Sequence, residues 1–283
     1  MNIGIIGAGK VGAAIGYVLK KSGMNITAVS DISEAPINVA RTYLGEDVLY
    51  TYDNIEVVET SDVIAITTQD RVIKDVAHEI AERAERLDNK LFFHTSGAHP
   101  ASLLAPLDQK GARIGALHPL QTFPDIDSAI NVLPATYIFI EGDESSIGTL
   151  STIGRSLGSE VVRIEGKDKV LYHLSAVFVC NLLCALLYAG KGIMGEIGIE
   201  LKPFFPIIKA TLNNIENKGP LMSLTGPIVR GDAETVLSHL EAMEGMEPYK
   251  EVYKALSMVA LDMAKERGGV SGDILEKLKG ILT

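Results

Sequence analysis

The chain has 283 residues, of which 47% are hydrophobic and 22% charged, so it can bury enough apolar surface to fold and is not a disordered protein. Its two cysteines exclude a scaffold held together by several disulfides. A formal net charge of −10 argues against a nucleic-acid-binding protein, but it leaves room for a pocket that binds a small anion.

Strands and helices alternate in the first half of the sequence. Short apolar runs predict buried β-strands over 2–6, 25–30, 62–67, 91–94, 113–117, 136–141 and 160–164. Helical patterns lie between several of them, over 11–21, 70–86 and 145–157. This alternation predicts an α/β fold, with a doubly wound, mostly parallel sheet in a first domain over residues 1–166.

After about residue 167 the pattern becomes helical. Helical periodicity is present over 168–196, 203–218, 232–243, 247–266 and 271–281. Glycines and prolines separate these segments, as is typical of short connections between helices. The sequence therefore predicts a smaller, all-helical second domain over residues 167–283.

The stretch 170–190 contains no Asp, Glu, Lys or Arg and is long enough to span a bilayer. Because it contains polar residues such as His173 and Asn181, we interpret it as a helix buried in a protein core and expect no membrane contact. We expect Cys180 and Cys184, one turn apart, to be buried core residues of a reduced cytoplasmic protein. The first residues lack the basic region of a signal peptide, which agrees with that location.

A glycine-rich turn follows the first strand. Its pattern is G-x-G-x-x-G, formed by Gly7, Ala8, Gly9, Lys10, Val11 and Gly12. A strand before this turn, then a helix and a second strand, are typical of a dinucleotide-binding Rossmann domain. Gly7 would permit the tight turn, Gly9 the approach of a pyrophosphate, and Gly12 close packing of helix on strand. The pyrophosphate would bind at the helix N-terminus, where free N–H groups and the helix dipole favour an anion.

Asp31 follows the second strand and indicates the cofactor. An acidic residue at this place accepts hydrogen bonds from the adenosine ribose and repels a 2′-phosphate, which favours NAD over NADP. Alternatively, Asp31 caps the next helix, and Ser30 or Ser33 helps to hold a phosphate. We expect the cofactor crevice to be lined also by the residues that end the strand over 62–67, namely Thr67, Thr68 and Gln69.

Two polar loops follow neighbouring strands of the predicted sheet, at the edge where ligands bind in open α/β folds. The candidates in these loops are His94, Ser96, His118 and Gln121. A histidine at a strand end is often structural, but three of the six histidines fall in these loops. We predict catalytic roles for His118 and Ser96, and substrate contacts for His94 and Gln121.

His173 and Asn181 are polar residues in an apolar helix, on one face by their spacing. Burying them unpaired costs about 1–3 kcal/mol each, so we predict that they contact substrate or, alternatively, pair with neighbouring side chains. In the first case Asn181 is a catalytic residue that orients the substrate carbonyl together with His118. A histidine can donate a proton to a developing alkoxide, and we assign this role to His173. Arg230, on a Gly/Pro-bracketed loop, is predicted to bind a substrate carboxylate, and Asp232 is predicted to be a helix N-cap.

With these residues the sequence resembles the Rossmann-like oxidoreductases whose C-terminal helical domain is catalogued as a domain of unknown function. The resemblance covers essentially the whole chain and rests on 7–12, 94–97, 118–123, Asp168-Lys169 with His173 and Asn181, and 224–232 with His239-Leu240. The group is similar to the 6-phosphogluconate dehydrogenase-like superfamily, which includes β-hydroxyacid dehydrogenases, pyrroline-carboxylate reductases and ketopantoate reductases. The resemblance implies NAD(P)-dependent reduction of a small 2-oxo acid, and a homodimer built through the helical domain. The pair His118-Pro119 also resembles the His-Pro of prephenate dehydrogenases, whose histidine contacts substrate.

The sequence differs from the superfamily pattern at two positions, and these differences leave two functions open. β-Hydroxyacid dehydrogenases and ketopantoate reductases carry a lysine four residues before a helix asparagine; if Asn181 takes that place, Val177 replaces the lysine and the usual proton donor is missing. Ketopantoate reductases also carry an arginine for NADPH where this chain has Asp31. The chain is therefore either an NAD(P)-dependent oxidoreductase for a small anionic 2-oxo or 2-hydroxy acid, or a dinucleotide-responsive sensor without catalysis. No Cys/His cluster has metal-ligand spacing, so we expect no catalytic metal.

Overall fold

A computed structural model describes residues 1–283. The chain divides into two compact units, Met1–Val179 and Cys180–Thr283. The predicted division after residue 166 lies earlier in the chain and remains a prediction.

The first unit is built on an eight-stranded sheet with the order β3-β2-β1-β4-β5-β6-β7-β8. The strands are β1 (Asn2–Ile6), β2 (Asn25–Ser30), β3 (Leu49–Thr51), β4 (Val63–Ile66), β5 (Leu91–His94), β6 (Arg113–Pro119), β7 (Tyr137–Gly142) and β8 (Glu160–Arg163). From β3 to β6 all neighbours are parallel, whereas β7 is antiparallel to β6 and parallel to β8. The order reverses between β1 and β4, which confirms the predicted doubly wound, mostly parallel sheet.

Eight α-helices belong to this unit. They are α1 (Lys10–Lys21), α2 (Glu34–Leu44), α3 (Asn54–Thr60), α4 (Asp70–Arg83), α5 (Ala105–Asp108), α6 (Ile126–Val132), α7 (Glu144–Ser156) and α8 (Lys169–Ala176). The helical patterns predicted α1, α4 and α7, and the pattern over 168–196 includes the whole of α8. The 11-residue helix α2, the short helices α3, α5 and α6, and the three-residue strand β3 were not predicted.

Alternate residues of the central strands enter two hydrophobic clusters, one on each face of the sheet. Ile5 and Ala65 belong to the cluster that contains residues of α1, α2, α6 and α7. Ile6 and Ile64 belong to the cluster that contains residues of α3, α4 and α5. Each large aliphatic side chain buried in this way contributes about 1.5–3 kcal/mol to folding. The clusters fix the central strands, and therefore the loops that follow their carboxyl ends.

The second unit is helical, as predicted. Its helices are α9 (Leu182–Gly195), α10 (Phe205–Ser223), α11 (Pro227–Arg230), α12 (Ala233–Ala242), α13 (Glu247–Arg267) and α14 (Gly272–Leu282). Residues of α11 to α14, among them Val236 and Leu278, form its hydrophobic core. Asp232 is the N-cap of α12, because its carboxylate accepts a hydrogen bond of 3.0 Å from the backbone N–H of Thr235. This confirms the structural role predicted for Asp232.

The predicted burial of the apolar stretch 170–190 is wrong for the single chain. Gly166–Gly195 is one helical stretch with a mean hydropathy of 2.1, long and apolar enough to cross a membrane by length and composition, and none of its most apolar window is buried. Phe178 is 61% exposed, Cys184 is exposed and Cys180 only partly buried. Apolar composition shows that a surface favours removal from water, but it does not identify the molecule that covers it.

Candidate functional site

The glycine loop between β1 and α1 has the conformation that its sequence requires. Gly7 has a φ of +104°, and its N–H donates a hydrogen bond of 2.8 Å to the carbonyl of Ser30. A Cβ on Gly7 would lie 2.9 Å from the backbone nitrogen of Thr68, and one on Gly12 would overlap the carbonyl oxygen of Gly7. Only glycine satisfies both positions, so the loop is fixed against the end of β4.

The beginning of α1 is open to a ligand. Gly9 is the N-cap and makes no side-chain cap, and no atom lies within 4 Å of a Cβ placed on it. The first turn of α1 contains no acidic residue, and its backbone N–H groups therefore remain available to an anion. Ala8 is buried and Val11 partly buried, whereas Lys10 is exposed and donates a hydrogen bond of 2.6 Å to the carbonyl of Pro124.

Asp31 lies directly beyond β2 and contacts the glycine loop. One carboxylate oxygen accepts a hydrogen bond of 2.9 Å from the N–H of Ala8, and the other accepts one of 3.3 Å from the N–H of Ser33. The hydroxyl of Ser30 is buried and donates to Asn54 at 2.7 Å, so Ser30 is not free to hold a phosphate. The carboxylate thus lies next to the loop, as expected for a residue that contacts the adenosine ribose.

The residues after β4 complete this part of the site. The buried hydroxyl of Thr67 donates a hydrogen bond of 2.7 Å to the carbonyl of Gly7 and holds the loop. The hydroxyl oxygen of Thr68 is buried without any hydrogen-bond partner, which favours a ligand group beside it. Gln69 is the exposed N-cap residue of α4. The open helix start, the orphaned hydroxyl and the carboxylate of Asp31 fit a dinucleotide.

His94 is held within its own loop. Its side chain is completely buried; Nε2 lies 3.1 Å from the carbonyl oxygen of Pro100, and Nδ1 accepts a hydrogen bond of 3.2 Å from the N–H of Ser96. A carbonyl can only accept, so Nε2 carries the proton of a neutral ring. Burial, and next the charge of Lys169, lower the pKa of His94 to about 4. Both nitrogens are engaged, which favours a role in positioning the loop over the predicted substrate contact.

Ser96 also has a full set of partners. Its hydroxyl donates a hydrogen bond of 2.8 Å to the carboxylate of Asp70 and accepts from the N–H groups of Ala98 and His99 at 3.3 and 3.2 Å. The side chain is 3% exposed. No base lies on the hydroxyl to activate it as a nucleophile, because both nitrogens of His94 are already engaged. These contacts favour a structural role for Ser96 over the catalytic role predicted for it.

Lys169, the first residue of α8, is a site residue that the sequence reasoning missed. Its side chain is 1% exposed, and Nζ donates one hydrogen bond, of 2.8 Å, to the carbonyl of Ser96. Its other two N–H donors have no protein acceptor within hydrogen-bond distance. Burial lowers the pKa of Lys169 to about 8, although the carboxylates of Glu141 and Asp70 act in the opposite direction. The available signal was the spacing of four residues between Lys169 and His173, which puts them on one face of α8.

His118, near the end of β6, lies between two residues of α8. Its Nδ1 is 2.7 Å from the hydroxyl of Tyr172, and its ring centre is 6.4 Å from that of His173. A Cβ on Gly97 would lie 2.8 Å from His118 Nε2 and from His173 Cδ2, so both rings pack against this glycine. Burial first, then the charges of Lys169 and His173, lower the pKa of His118 to about 4. The structure thus brings together two of the predicted catalytic residues.

Three predicted residues do not lie in this cluster. Gln121 is exposed in the turn after β6, where its side-chain oxygen accepts a hydrogen bond from the N–H of Thr122. Asn181 and Arg230 belong to the second unit, and both are exposed. Val177–Asn181 is π-helical, so the α-helical spacing that put Asn181 on one face with His173 does not apply. The roles predicted for these three residues remain predictions.

Comparisons with known families agree with the two parts of the chain. Residues 1–119 match the family model of the Rossmann-like domain, and residues 136–259 match that of a domain of unknown function, DUF2520. The chain therefore combines a Rossmann-like domain with a DUF2520 domain, which confirms the resemblance seen in its motifs. No curated protein matches the sequence.

Solved structures share the fold over nearly the whole chain. A Bacteroides fragilis protein described as "putative NADP oxidoreductase BF3122" is 22% identical with a TM-score of 0.76, over 91% of this chain and 96% of that one. Protein TM1727 from Thermotoga maritima is 23% identical with a TM-score of 0.74, over 94% and 99%. A reductive aminase from Aspergillus terreus, in complex with NADPH and ethyl-5-oxohexanoate, is 15% identical with a TM-score of 0.67, over 99% and 92%.

Proposed function

We propose that this chain, a Rossmann-like domain followed by a DUF2520 domain, is an NAD(P)-dependent oxidoreductase that transfers hydride between nicotinamide and a small anionic 2-oxo or 2-hydroxy acid. The observation that carries the proposal is the cluster of Lys169, His118 and His173 beside the loop after β5. In the sheet order, β5 and β6 follow β1 and β4, the two strands whose ends form the glycine-loop site. Dinucleotide and substrate sites of such folds lie at this edge of the sheet.

The cofactor would be held by the residues of the glycine loop and by the two strand ends beside it. Backbone N–H groups at the start of α1 would bind the pyrophosphate, Asp31 the ribose, and the free hydroxyl of Thr68 a further polar group. When bound, a nicotinamide dinucleotide supplies or accepts the hydride. The carboxylate of Asp31 supports NAD as the preferred form, because a 2′-phosphate placed beside it would be repelled. The two similar structures named for NADP or NADPH make a comparison of both cofactors necessary.

The charges of the cluster suit reduction of a carbonyl group. Hydride addition leaves negative charge on the carbonyl oxygen, and the Lys169 ammonium, with two unused N–H donors, would stabilise it. His118, with a pKa of about 4, is neutral at pH 7 and can donate a hydrogen bond but not act as an acid. His173 is partly exposed and its ring centre lies 6.4 Å from that of His118, so it is the proposed proton donor. In this proposal Lys169 and His118 contact the carbonyl oxygen of the substrate, and His173 supplies the one proton that the reduced oxygen takes up.

The charge of Lys169 also bears on the substrate class. A reductive aminase is among the similar structures, and imines are reduced most readily as cationic iminium ions. A protonated lysine in the cluster disfavours such a cation and favours an anionic 2-oxo acid. We therefore propose an oxo acid as substrate and treat a cyclic imine as the competing outcome.

The proposal is tested by two measurements on the wild-type protein. Calorimetric titration with NADH and NADPH measures cofactor affinity, and the absorbance of reduced nicotinamide follows turnover with a panel of 2-oxo acids, ketopantoate included, and of cyclic imines. We expect tight NADH binding and turnover of one oxo acid. Turnover of imines alone would overturn the substrate class, and binding without turnover of any compound would favour a sensor. Failure to bind either nucleotide would contradict the proposal as a whole.

We further propose that the partner of this chain is a second copy of itself, which covers the exposed apolar face of the helical stretch after residue 169. The exposed apolar residues of this face include Val170, Leu171, Leu174, Phe178, Val179, Leu182 and Leu186. Apolar patches of this kind mark interfaces, and the family resemblance implies a dimer built through the helical domain. Light scattering should give a dimer mass for the wild type and a monomer mass for Val179→Asp. A monomeric wild type that binds lipid vesicles would contradict this interface.

A further inference from the structure

Tyr172 contacts His118 through its hydroxyl and Phe139 through its ring. The Tyr172 hydroxyl lies 2.7 Å from His118 Nδ1, with the two rings nearly perpendicular and their centres 5.6 Å apart. The Tyr172 ring also packs against Phe139 of β7, with a centre-to-centre distance of 4.3 Å. The contact with Phe139 and the contact with His118 together hold the phenol beside Nδ1.

The hydrogen bond in this pair has a preferred direction. Burial raises the pKa of Tyr172 and is the first cause of the lowered pKa of His118, so both groups are neutral at pH 7. If Nδ1 carried the imidazole proton, the phenol hydrogen would have no acceptor within the protein, because Nδ1 is the one protein partner of this hydroxyl. The contact is part-buried, and donation from Tyr172 to Nδ1 is the arrangement in which both groups are paired within the protein. In that arrangement the proton of the imidazole is on Nε2.

His118 Nε2 has no protein hydrogen-bond partner. It lies beside Gly97, where the missing side chain leaves its ring close to that of His173. The charged and titratable groups that act on His118 are Lys169 and His173 of α8 and Asp70 of α4. An N–H on Nε2 is therefore free to donate a hydrogen bond to an acceptor in the proposed substrate site.

We infer that Tyr172 is a positioning residue: by donating to Nδ1 it holds His118 as the Nε2–H tautomer, which donates a hydrogen bond to the carbonyl oxygen of the substrate. The hydrogen bond to the substrate oxygen rests on the proposed function, whereas the tautomer of His118 is inferred without it. This inference assigns Tyr172 a part in the reaction without any contact between Tyr172 and substrate.

The helical unit supplies a matched control. His239 and Tyr253 form a second pair, with 3.0 Å between Nδ1 and the hydroxyl and ring centres 5.8 Å apart. Tyr172→Phe and Tyr253→Phe therefore remove the same hydroxyl from the same kind of contact. Nitrogen-15 NMR of the histidine side chains in the full chain distinguishes a protonated from an unprotonated ring nitrogen in each variant.

We expect the wild-type spectrum at pH 7 to show an unprotonated Nδ1 and a protonated Nε2 for His118, and Tyr172→Phe to give a mixture of tautomers. Turnover should fall about tenfold in Tyr172→Phe with cofactor affinity unchanged, since loss of one donor to a developing oxyanion costs about 100- to 1,000-fold and a mixture loses only part of it. Tyr253→Phe should keep wild-type turnover. A proton on Nδ1 in the wild type, or equal turnover in both variants, would overturn the inference. A wild type without any turnover would contradict the proposed function instead, and the spectrum would still decide the tautomer.

Discussion

Substitution of Gly9 by alanine separates cofactor binding from folding. Gly9 has φ −70° and ψ −172°, which alanine adopts without strain, and an added Cβ meets no atom within 4 Å. We therefore expect the free energy of unfolding to change by no more than about 0.5 kcal/mol. The methyl group would instead occupy the space through which a pyrophosphate approaches the loop.

The expected loss of affinity follows from the start of α1. Its first turn has no side-chain cap, so the pyrophosphate would accept hydrogen bonds from backbone N–H groups. A hydrogen bond to a charged group is worth about 1.5–3 kcal/mol. Loss of one such bond weakens NADH binding roughly 10- to 150-fold.

Calorimetry with NADH and NADPH, together with urea unfolding, measures both quantities. Gly148→Ala is the matched control, because Gly148 lies in α7 and a Cβ there also meets no atom within 4 Å. We expect wild-type affinity for this control. If Gly9→Ala folds normally and binds both nucleotides as tightly as the control, the dinucleotide does not bind at this loop and the reasoning is refuted.

Three further predictions concern the polar cluster. Gly97→Ala places a Cβ 2.8 Å from His118 and His173, where ordinary contact begins at 3.4 Å, so the two rings must move. Because a displacement of about 1 Å can lower turnover about 100-fold, we expect kcat to fall at least about tenfold. The affinity for NADH, measured by calorimetry, should not change. In the wild type, kcat/KM should fall as the pH rises above about 8, because the Lys169 ammonium then loses its proton; Lys169→Met should lower kcat/KM and lack this alkaline limb, and a limb retained in the variant would exclude Lys169 as its source. The pKa of His94 is about 4 in the fold and 6.5 as its ordinary value, so the unfolded chain binds more protons between these values. The free energy of unfolding, measured in urea, should therefore decrease as the pH falls from about 6.5 to 4, by about 3 kcal/mol at most from this group, and a flat profile would contradict its neutral burial.

Much of the fold was predictable because its signals are local. Continuous apolar runs identify central strands such as β1 and β4, which are buried on both faces, and the glycine pattern identifies the turn between β1 and α1. The strand β3 was not predicted because three residues are too few for a periodic pattern. The apolar stretch 170–190 was predicted to be buried and is exposed in the single chain, because its composition is the same whether the chain itself or another molecule covers it.

The site was only partly predictable because its chemistry depends on contacts between distant segments. The sequence shows that histidines stand at two strand ends, but it does not show their hydrogen-bond partners. Both ring nitrogens of His94 have a partner, whereas Nε2 of His118 has none. Lys169 follows a charged pair at a helix start, which is typical of a solvated surface, and only the fold shows that its side chain is buried and contacts the Ser96 carbonyl. A π-helical segment likewise has no clear sequence pattern, so the placement of Asn181 could not be foreseen.

The most direct test of the central claim is to follow the transferred hydrogen itself. The full-length protein would be incubated with NADH carrying deuterium at both positions of the nicotinamide C4 and with the 2-oxo acid that it turns over best, and the product analysed by mass spectrometry and proton NMR. The account predicts one deuterium on the carbinol carbon of the 2-hydroxy acid, with its hydroxyl proton derived from water. Tight NADH binding without deuterium in any product of the oxo-acid panel would contradict hydride transfer to a 2-oxo acid.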